Sequence, residues 1–233
     1  MKSTTRRQPW LRQNIRAVLS RVIDLTCVLA IVFSLSVVYK ARESTAGIAR
    51  AAPAVREPRW AEAVSVASFA SNALADDTLV IISDYQCEGC RRLHAMLSEV
   101  LLDDIKVSVG IVHYPLSYHT FARPAAIAAL CGTSVGAFAS VHAGLMDSVH
   151  AVDQGVLTFL SPLVPDQVRS HFLRCLADGS MLERLVESER VAEAVGLTGT
   201  PTLFLSGWRV RLPDNPKTLR TWLARAHAGA APY

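Results

Sequence analysis

Cys87-Glu88-Gly89-Cys90 sets two thiols one helical turn apart. A pair so close can close a small ring without ordering a long loop. One chemistry open to it is dithiol–disulfide exchange, in which a thiolate is the nucleophile. The other is metal or haem attachment, because zinc knuckles and haem sites use the same spacing. Zinc needs two further ligands. Cys131 and Cys175 lie far apart and neither belongs to a second CxxC, while His94 falls four residues after Cys90 and could reach a metal from the same face.

The flanking residues say what positions the pair. Thr78-Leu79-Val80-Ile81-Ile82 is a β-branched, apolar run, the signature of a buried strand. After the motif, Leu93, Met96, Leu97, Val100 and Leu101 repeat at helical spacing and mark one face of a helix. Cys87 therefore sits between a strand and a helix N-terminus, where free N–H groups and the positive end of the dipole favour a thiolate. Cys90, one turn in, is the resolving thiol. Between them, Glu88 opposes a thiolate, while Arg91 and Arg92 in the first turn favour it. Asp84, at the strand end, is a proton acceptor for Cys90 or a cap of the CxxC helix.

A second feature agrees with the first. Gly199-Thr200-Pro201-Thr202 precedes another apolar strand, Leu203-Phe204-Leu205, and proline at a strand entrance lacks a ladder donor. Three stretches, Ser83-Asp84-Tyr85-Gln86-Cys87-Glu88-Gly89-Cys90, His113-Tyr114-Pro115-Leu116 and Gly196-Leu197-Thr198-Gly199-Thr200-Pro201-Thr202, occur in that order. In them the chain resembles the DsbA-like branch of the thioredoxin superfamily. The resemblance says nothing about residues 1–60.

The resemblance implies a cis Pro201 packed beside the CxxC, with Thr200 offering backbone groups to a substrate chain, and a Tyr114-Pro115-Leu116 loop bordering the site. It also implies a helical insertion, and some DsbA-like relatives carry a second disulfide there. Cys131 and Cys175 are either bridged, as an even pair in an oxidising compartment would be, or two buried free thiols packing as small hydrophobes. The carboxylate of Glu88 points to a couple less oxidising than the DsbA type, while Glu88 and Gly89 in place of the usual Pro-x or x-His leave the direction of electron flow open. His113, His119 and His142 are expected to be structural or surface residues.

Composition and charge bound the rest. The chain has 233 residues, 51% of them apolar, with a net charge of +4. Lys2, Arg6, Arg7, Arg12 and Arg16 stand at the start with no acid among them. A basic start can be a nucleic-acid arm, but the apolar stretch behind this one argues otherwise. Val22 to Tyr39 is nearly continuous apolar sequence, about 27 Å long as a helix and close to the ~30 Å hydrocarbon core. Basic flanks stay inside, so the remainder is exported. Arg21 and Asp24 can pair on one helix face, and Cys27 lies within the apolar stretch. A cleavable signal peptide is the competing reading, with Ala51-Ala52-Pro53-Ala54 as a possible cleavage region.

The expected organisation is a cytoplasmic tail over 1–16, a transmembrane signal-anchor over 17–40, a linker over 41–70 and a thioredoxin-like domain over 71–233. Within the domain, strands are expected at 78–85 and 105–113, helices over about 120–195, a hairpin turning at Gly207, and a last helix from Pro216 to His227 capped by Asp214 or Asn215. The fold class is α/β: a thioredoxin fold with a helical insertion, preceded by one transmembrane helix. The expected protein is a periplasmic or extracytoplasmic thiol–disulfide oxidoreductase, tethered to the membrane. Its partners would be cysteine-containing exported proteins and a membrane redox partner, without nucleic acid. No organic cofactor is implied, since the two sulfurs carry the electrons. The rivals are a reductase or isomerase kept reduced by a membrane donor, and a metallochaperone or binding module on the same scaffold.

Overall fold

The computed structural model describes residues 30–34, 36, 54–70, 77–101, 107–148 and 159–233. It divides into two compact units, 1–52 and 53–233. In the first, residues 30–34 and 36 are helical, and Ile31, Val32 and Phe33 are exposed. No helix among the described residues is long and apolar enough to cross a membrane. The expected basic tail and the remainder of the expected span, with Arg21, Asp24 and Cys27, lie outside the described residues.

The second unit is built on β3 (Asp77–Ser83), every residue of which is buried. It pairs in parallel with β4 (Val107–His113) and antiparallel with β5 (Thr202–Leu205). β6 (Trp208–Val210) continues the sheet beyond β5 through a two-residue turn, Ser206-Gly207. Both turn residues have positive φ, 45° and 84°. Their backbone twist matches that of the flanking strands, which is why glycine stands at the second position. β1 (Val55–Arg56) and β2 (Ser68–Phe69) close the two edges, giving the order β1-β6-β5-β3-β4-β2.

Side chains alternate across a strand, and both faces of this sheet are covered. Leu79, Ile81, Ile111, Leu203 and Leu205 face the larger core. Helices α2 (Glu88–Leu101) and α7 (Pro216–His227) pack there. Val80, Ile82, Val112 and Phe204 face the other side, against α1 (Trp60–Val66) and α6 (Leu182–Ala194). This two-sided burial explains why the 78–82 run reads as continuous apolar sequence rather than alternation.

Between β4 and β5 lies the expected insertion: α3 (Ala122–Ser134), α4 (Phe138–Asp147), a short 3-10 turn (Ser161–Leu163), α5 (Asp166–Asp178) and α6. Cys131 of α3 is disulfide-bonded to Cys175 of α5, with Cα atoms 5.8 Å apart. Of the two candidate caps of the last helix, Asn215 serves: its side chain accepts from the Thr218 amide at 2.9 Å.

The linker assignment needs correction at its C-terminal end. Residues 54–70 belong to the folded unit, which begins at Pro53. Ala63 of α1 is fully buried among Val80, Ile82 and Val112. The Ser68 hydroxyl meets His113 Nε2 at 3.1 Å. Strands of two residues carry no readable period, and a seven-residue helix carries little more.

Candidate active site

Cys87 stands at the junction of β3 and α2. Its amide donates to the Asp84 carbonyl at 3.2 Å, and its carbonyl accepts the first helical bond from Arg91 at 3.1 Å. Cys87 is thus the N-cap residue of α2. A cap side chain ordinarily accepts from the amides two and three residues on. Here those amides belong to Gly89 and Cys90, and both favour an ionised Cys87 sulfur.

Asp84 fixes this junction. One carboxylate oxygen accepts from the amides of Gln86 (2.6 Å) and Cys87 (3.1 Å). The other accepts from the Leu116 amide (2.7 Å) and meets His119 Nδ1 at 2.9 Å. The Asp84 side chain is fully buried, and all this acceptor capacity is engaged. Of its two sequence readings, the cap is the one its contacts fit. The same carboxylate anchors the Tyr114-Pro115-Leu116 loop beside the site, and His119 is its partner rather than a free surface imidazole.

The approach of Thr200-Pro201 completes the site. The peptide between them is cis, and the Cys87 thiol donates to the Thr200 carbonyl at 3.3 Å. Gly89 permits this contact. A Cβ on Gly89 would lie 3.1 Å from Pro201 Cδ and 3.8 Å from Cys87 Sγ. Glycine between the cysteines therefore gives room to the Pro201 loop.

The two thiols are unequal. Cys87 is partly exposed and Cys90 buried; neither is disulfide-bonded. The Cys87 thiol is drawn down to about 5, first by its hydrogen bond with the Cys90 thiol and then by the Thr200 side chain and the two amides, against the effect of burial. The Thr200 hydroxyl is buried with no hydrogen-bond partner. Cys90 is pushed far above the ordinary thiol range by the same shared bond and by burial. The flanking charges play little part. Glu88 pairs with Arg92 on the exposed side of α2. Arg91 donates to the backbone carbonyls of Tyr85 and Leu145, at 3.0 and 3.3 Å.

Behind Cys90 lies a set of rings that are scattered in the sequence. The Tyr85 hydroxyl meets His142 Nδ1 at 3.0 Å. The rings of His94 and His142 lie 5.2 Å apart, and those of Tyr85 and His113 6.0 Å. His113 is buried and His142 half-buried; both are held neutral, each lowered to about 3 chiefly by desolvation. His142 packs its ring against those of Tyr85, His94 and Phe138. Among the described residues, no group of three or more His, Cys, Asp or Glu is arranged to hold a metal ion.

Comparison with known proteins agrees with this geometry. The thioredoxin family model matches residues 70–225. A thioredoxin-like oxidoreductase from Silicibacter pomeroyi superposes with a TM-score of 0.59 at 25% identity, over 71% of this chain and 94% of that one. The thiol-disulfide exchange protein alpha-DsbA2 from Wolbachia pipientis gives a TM-score of 0.57 at 16% identity, over 73% and 95%. Among curated proteins, Na(+)/H(+) antiporter NhaA 3 of Salinispora tropica is 30% identical over 157 residues, 66% of this chain. The chain spans only 24% of that antiporter's length. With the family match covering strands β3 to β6, the CxxC helix, the insertion and most of the last helix, the chain belongs to the thioredoxin family.

Proposed function

We propose that the chain exchanges disulfides with cysteine-containing exported proteins, on the outer side of a membrane to which its own N-terminal helix tethers it. One observation carries the exchange chemistry: Cys87, at a helix N-cap and partly exposed, shares a hydrogen bond with the buried Cys90. That asymmetry separates an attacking thiolate from a reserved thiol.

In the oxidising direction, a substrate thiolate attacks Cys87 Sγ of the Cys87–Cys90 disulfide. Cys90 leaves with the bonding electron pair and takes a proton. A second substrate thiolate then attacks the substrate sulfur of the mixed disulfide, and Cys87 leaves as the stabilised thiolate. The substrate loses two electrons and the enzyme dithiol gains them. A membrane redox partner would reoxidise the pair.

A stable Cys87 thiolate favours the reduced enzyme and so favours oxidation of substrates. Its value of about 5 falls between the ~7 of thioredoxin and the ~3.5 of DsbA. This supports an oxidant weaker than the DsbA type over a reductase. The Cys131–Cys175 bridge supports an oxidising compartment. The basic start, the apolar stretch after it and the exposed Ile31, Val32 and Phe33 support the tether.

Equilibration with glutathione buffers tests the chemistry. A single two-electron transition between about −270 and −120 mV is expected, and a couple at or below the thioredoxin value would favour the reductase. A phosphatase reporter fused after residue 60 tests the topology. It should be active, and an inactive fusion would sink the exported placement.

A further inference from the structure

Exchange requires a proton to leave or reach Cys90, a residue that is 2% exposed. The sulfur borders a cavity of about 170 Å3 between α2, α4 and the sheet. Its wall is mostly apolar, from residues such as Leu93, Leu97 and Phe138, but Ser83, His94 and His142 also face it. A volume of this size has room for several waters, and these would sit only where such polar groups line it. The Ser83 hydroxyl is buried with no hydrogen-bond partner, yet it lies where it favours an ionised Cys90. A Cys90 thiolate would give this hydroxyl a strong acceptor.

The buried carboxylates are occupied elsewhere. Asp84 already serves two amides on one oxygen and an amide and His119 on the other. Asp77, at the far end of β3, pairs with His227 and Ser206. Two imidazoles remain at the cavity. His142 is half-buried, its Nδ1 is taken by Tyr85, and desolvation holds its value at about 3. His94 lies one turn after Cys90 on α2. Its side chain is 17% exposed, and its Nε2 stands 3.6 Å from a carboxylate oxygen of Asp147, itself 71% exposed. Of the two, it is the one with a carboxylate beside it.

On the exchange function proposed above, we infer that His94, steadied by Asp147, exchanges the proton of Cys90 with solvent through the cavity. During resolution of a mixed disulfide the Cys90 thiol loses its proton by way of the cavity to His94. The Cys90 thiolate attacks Cys87 Sγ, the Cys87–Cys90 bond forms, and the substrate sulfur leaves with its electron pair. Reduction of the pair runs the same proton back. The timing is favourable. The chief cause of the raised Cys90 value is the hydrogen bond to the Cys87 sulfur, which is weakened once Cys87 is joined to a substrate. The groups facing His94 are Asp147 and His142 from α4 and Arg91 on its own helix; burial and Arg91 hold its value below that of an ordinary imidazole, against Asp147. His113 of β4 lies behind His142, and Arg220 of α7 pairs with Glu99 farther along α2.

Stopped-flow reaction of the reduced protein with dithiobis-nitrobenzoate reads the two steps separately. The first release of coloured thiolate reports attack by Cys87, and the second reports resolution by Cys90. His94→Gln should slow the second release by roughly tenfold or more at neutral pH, at the low end of proton-transfer contributions. It should leave the first release unchanged, so the first is an internal control for folding. The variant's rate should rejoin that of the parent at high pH, where hydroxide takes the proton. Asp147→Asn, at an exposed position, should move the acid limb of the second release to lower pH. A second release with the parent's rate and pH profile in His94→Gln would overturn the role of His94. If that variant does not fold, an unmoved limb in Asp147→Asn would do so. Absence of both releases in the unmodified protein would instead overturn the exchange function.

Discussion

The Cys87 sulfur and the Thr200 carbonyl oxygen lie 3.3 Å apart across 113 positions of sequence. The contact joins the N-terminus of α2 to the entrance of β5. It holds the Cys87 sulfur against the backbone that leads into β5.

Gly89 sets how close that approach can be. Gly89→Ala would place a methyl 3.1 Å from Pro201 Cδ, so the loop must give by a few tenths of an ångström. Overpacking of this kind typically costs about 1–3 kcal/mol. The variant should fold with a lower Tm, and its exchange with a peptide disulfide should slow severalfold. Parent-like values of both would show that the loop yields freely.

The Cys87 thiolate has a defined pH signature. Alkylation of the reduced protein should rise through about pH 5 and level off before neutrality, because the thiol is drawn down to about 5. Cys90→Ala removes the largest cause of that shift and should move the midpoint up. Stability should change with pH in the same sense. A depressed value stabilises the ionised folded form, so the dithiol protein should gain stability over Cys87→Ser as pH rises from about 5 toward the ordinary thiol value of 9.0. The gain is lost as pH falls through 5. A midpoint near 9 in both proteins would contradict the site geometry.

How far each element can be read from sequence depends on its physics. The β3 run and the apolar face of α2 stand out because each buries one continuous surface. The Asn215-Pro216 start of α7 is readable from local chemistry alone. Thr200-Pro201 is placed by resemblance, since no local pattern ties it to Cys87. The Tyr85, His94, His113 and His142 cluster is invisible in sequence because its members come from separate elements that meet only in the fold. The edge strands at 55–56 and 68–69 are too short to carry a period.

Asp84 holds more than a cap. Asp84→Asn would leave a donor facing the Leu116 amide or its partners, and each unsatisfied buried group costs about 1–3 kcal/mol. Chemical denaturation should show a loss of that size. Unchanged stability would mean that the 114–119 loop does not depend on this carboxylate.

The Cys131–Cys175 bridge closes 44 residues. The chain-entropy treatment gives about 4 kcal/mol for a loop of that length. The double Cys→Ala variant should lose stability of this order in denaturant while retaining reactivity at Cys87. Loss of that reactivity in the folded variant would tie the bridge to the site rather than to the insertion.

Disulfide exchange by this chain requires that Cys87 form a mixed disulfide with protein sulfur and that Cys90 resolve it. Expression of Cys90→Ala, followed by non-reducing electrophoresis, reads that intermediate. Thiol-sensitive adducts with other proteins should accumulate, and should vanish when Cys87 is also replaced by alanine. A normally expressed, folded Cys90→Ala protein that forms no such adducts would contradict the exchange function.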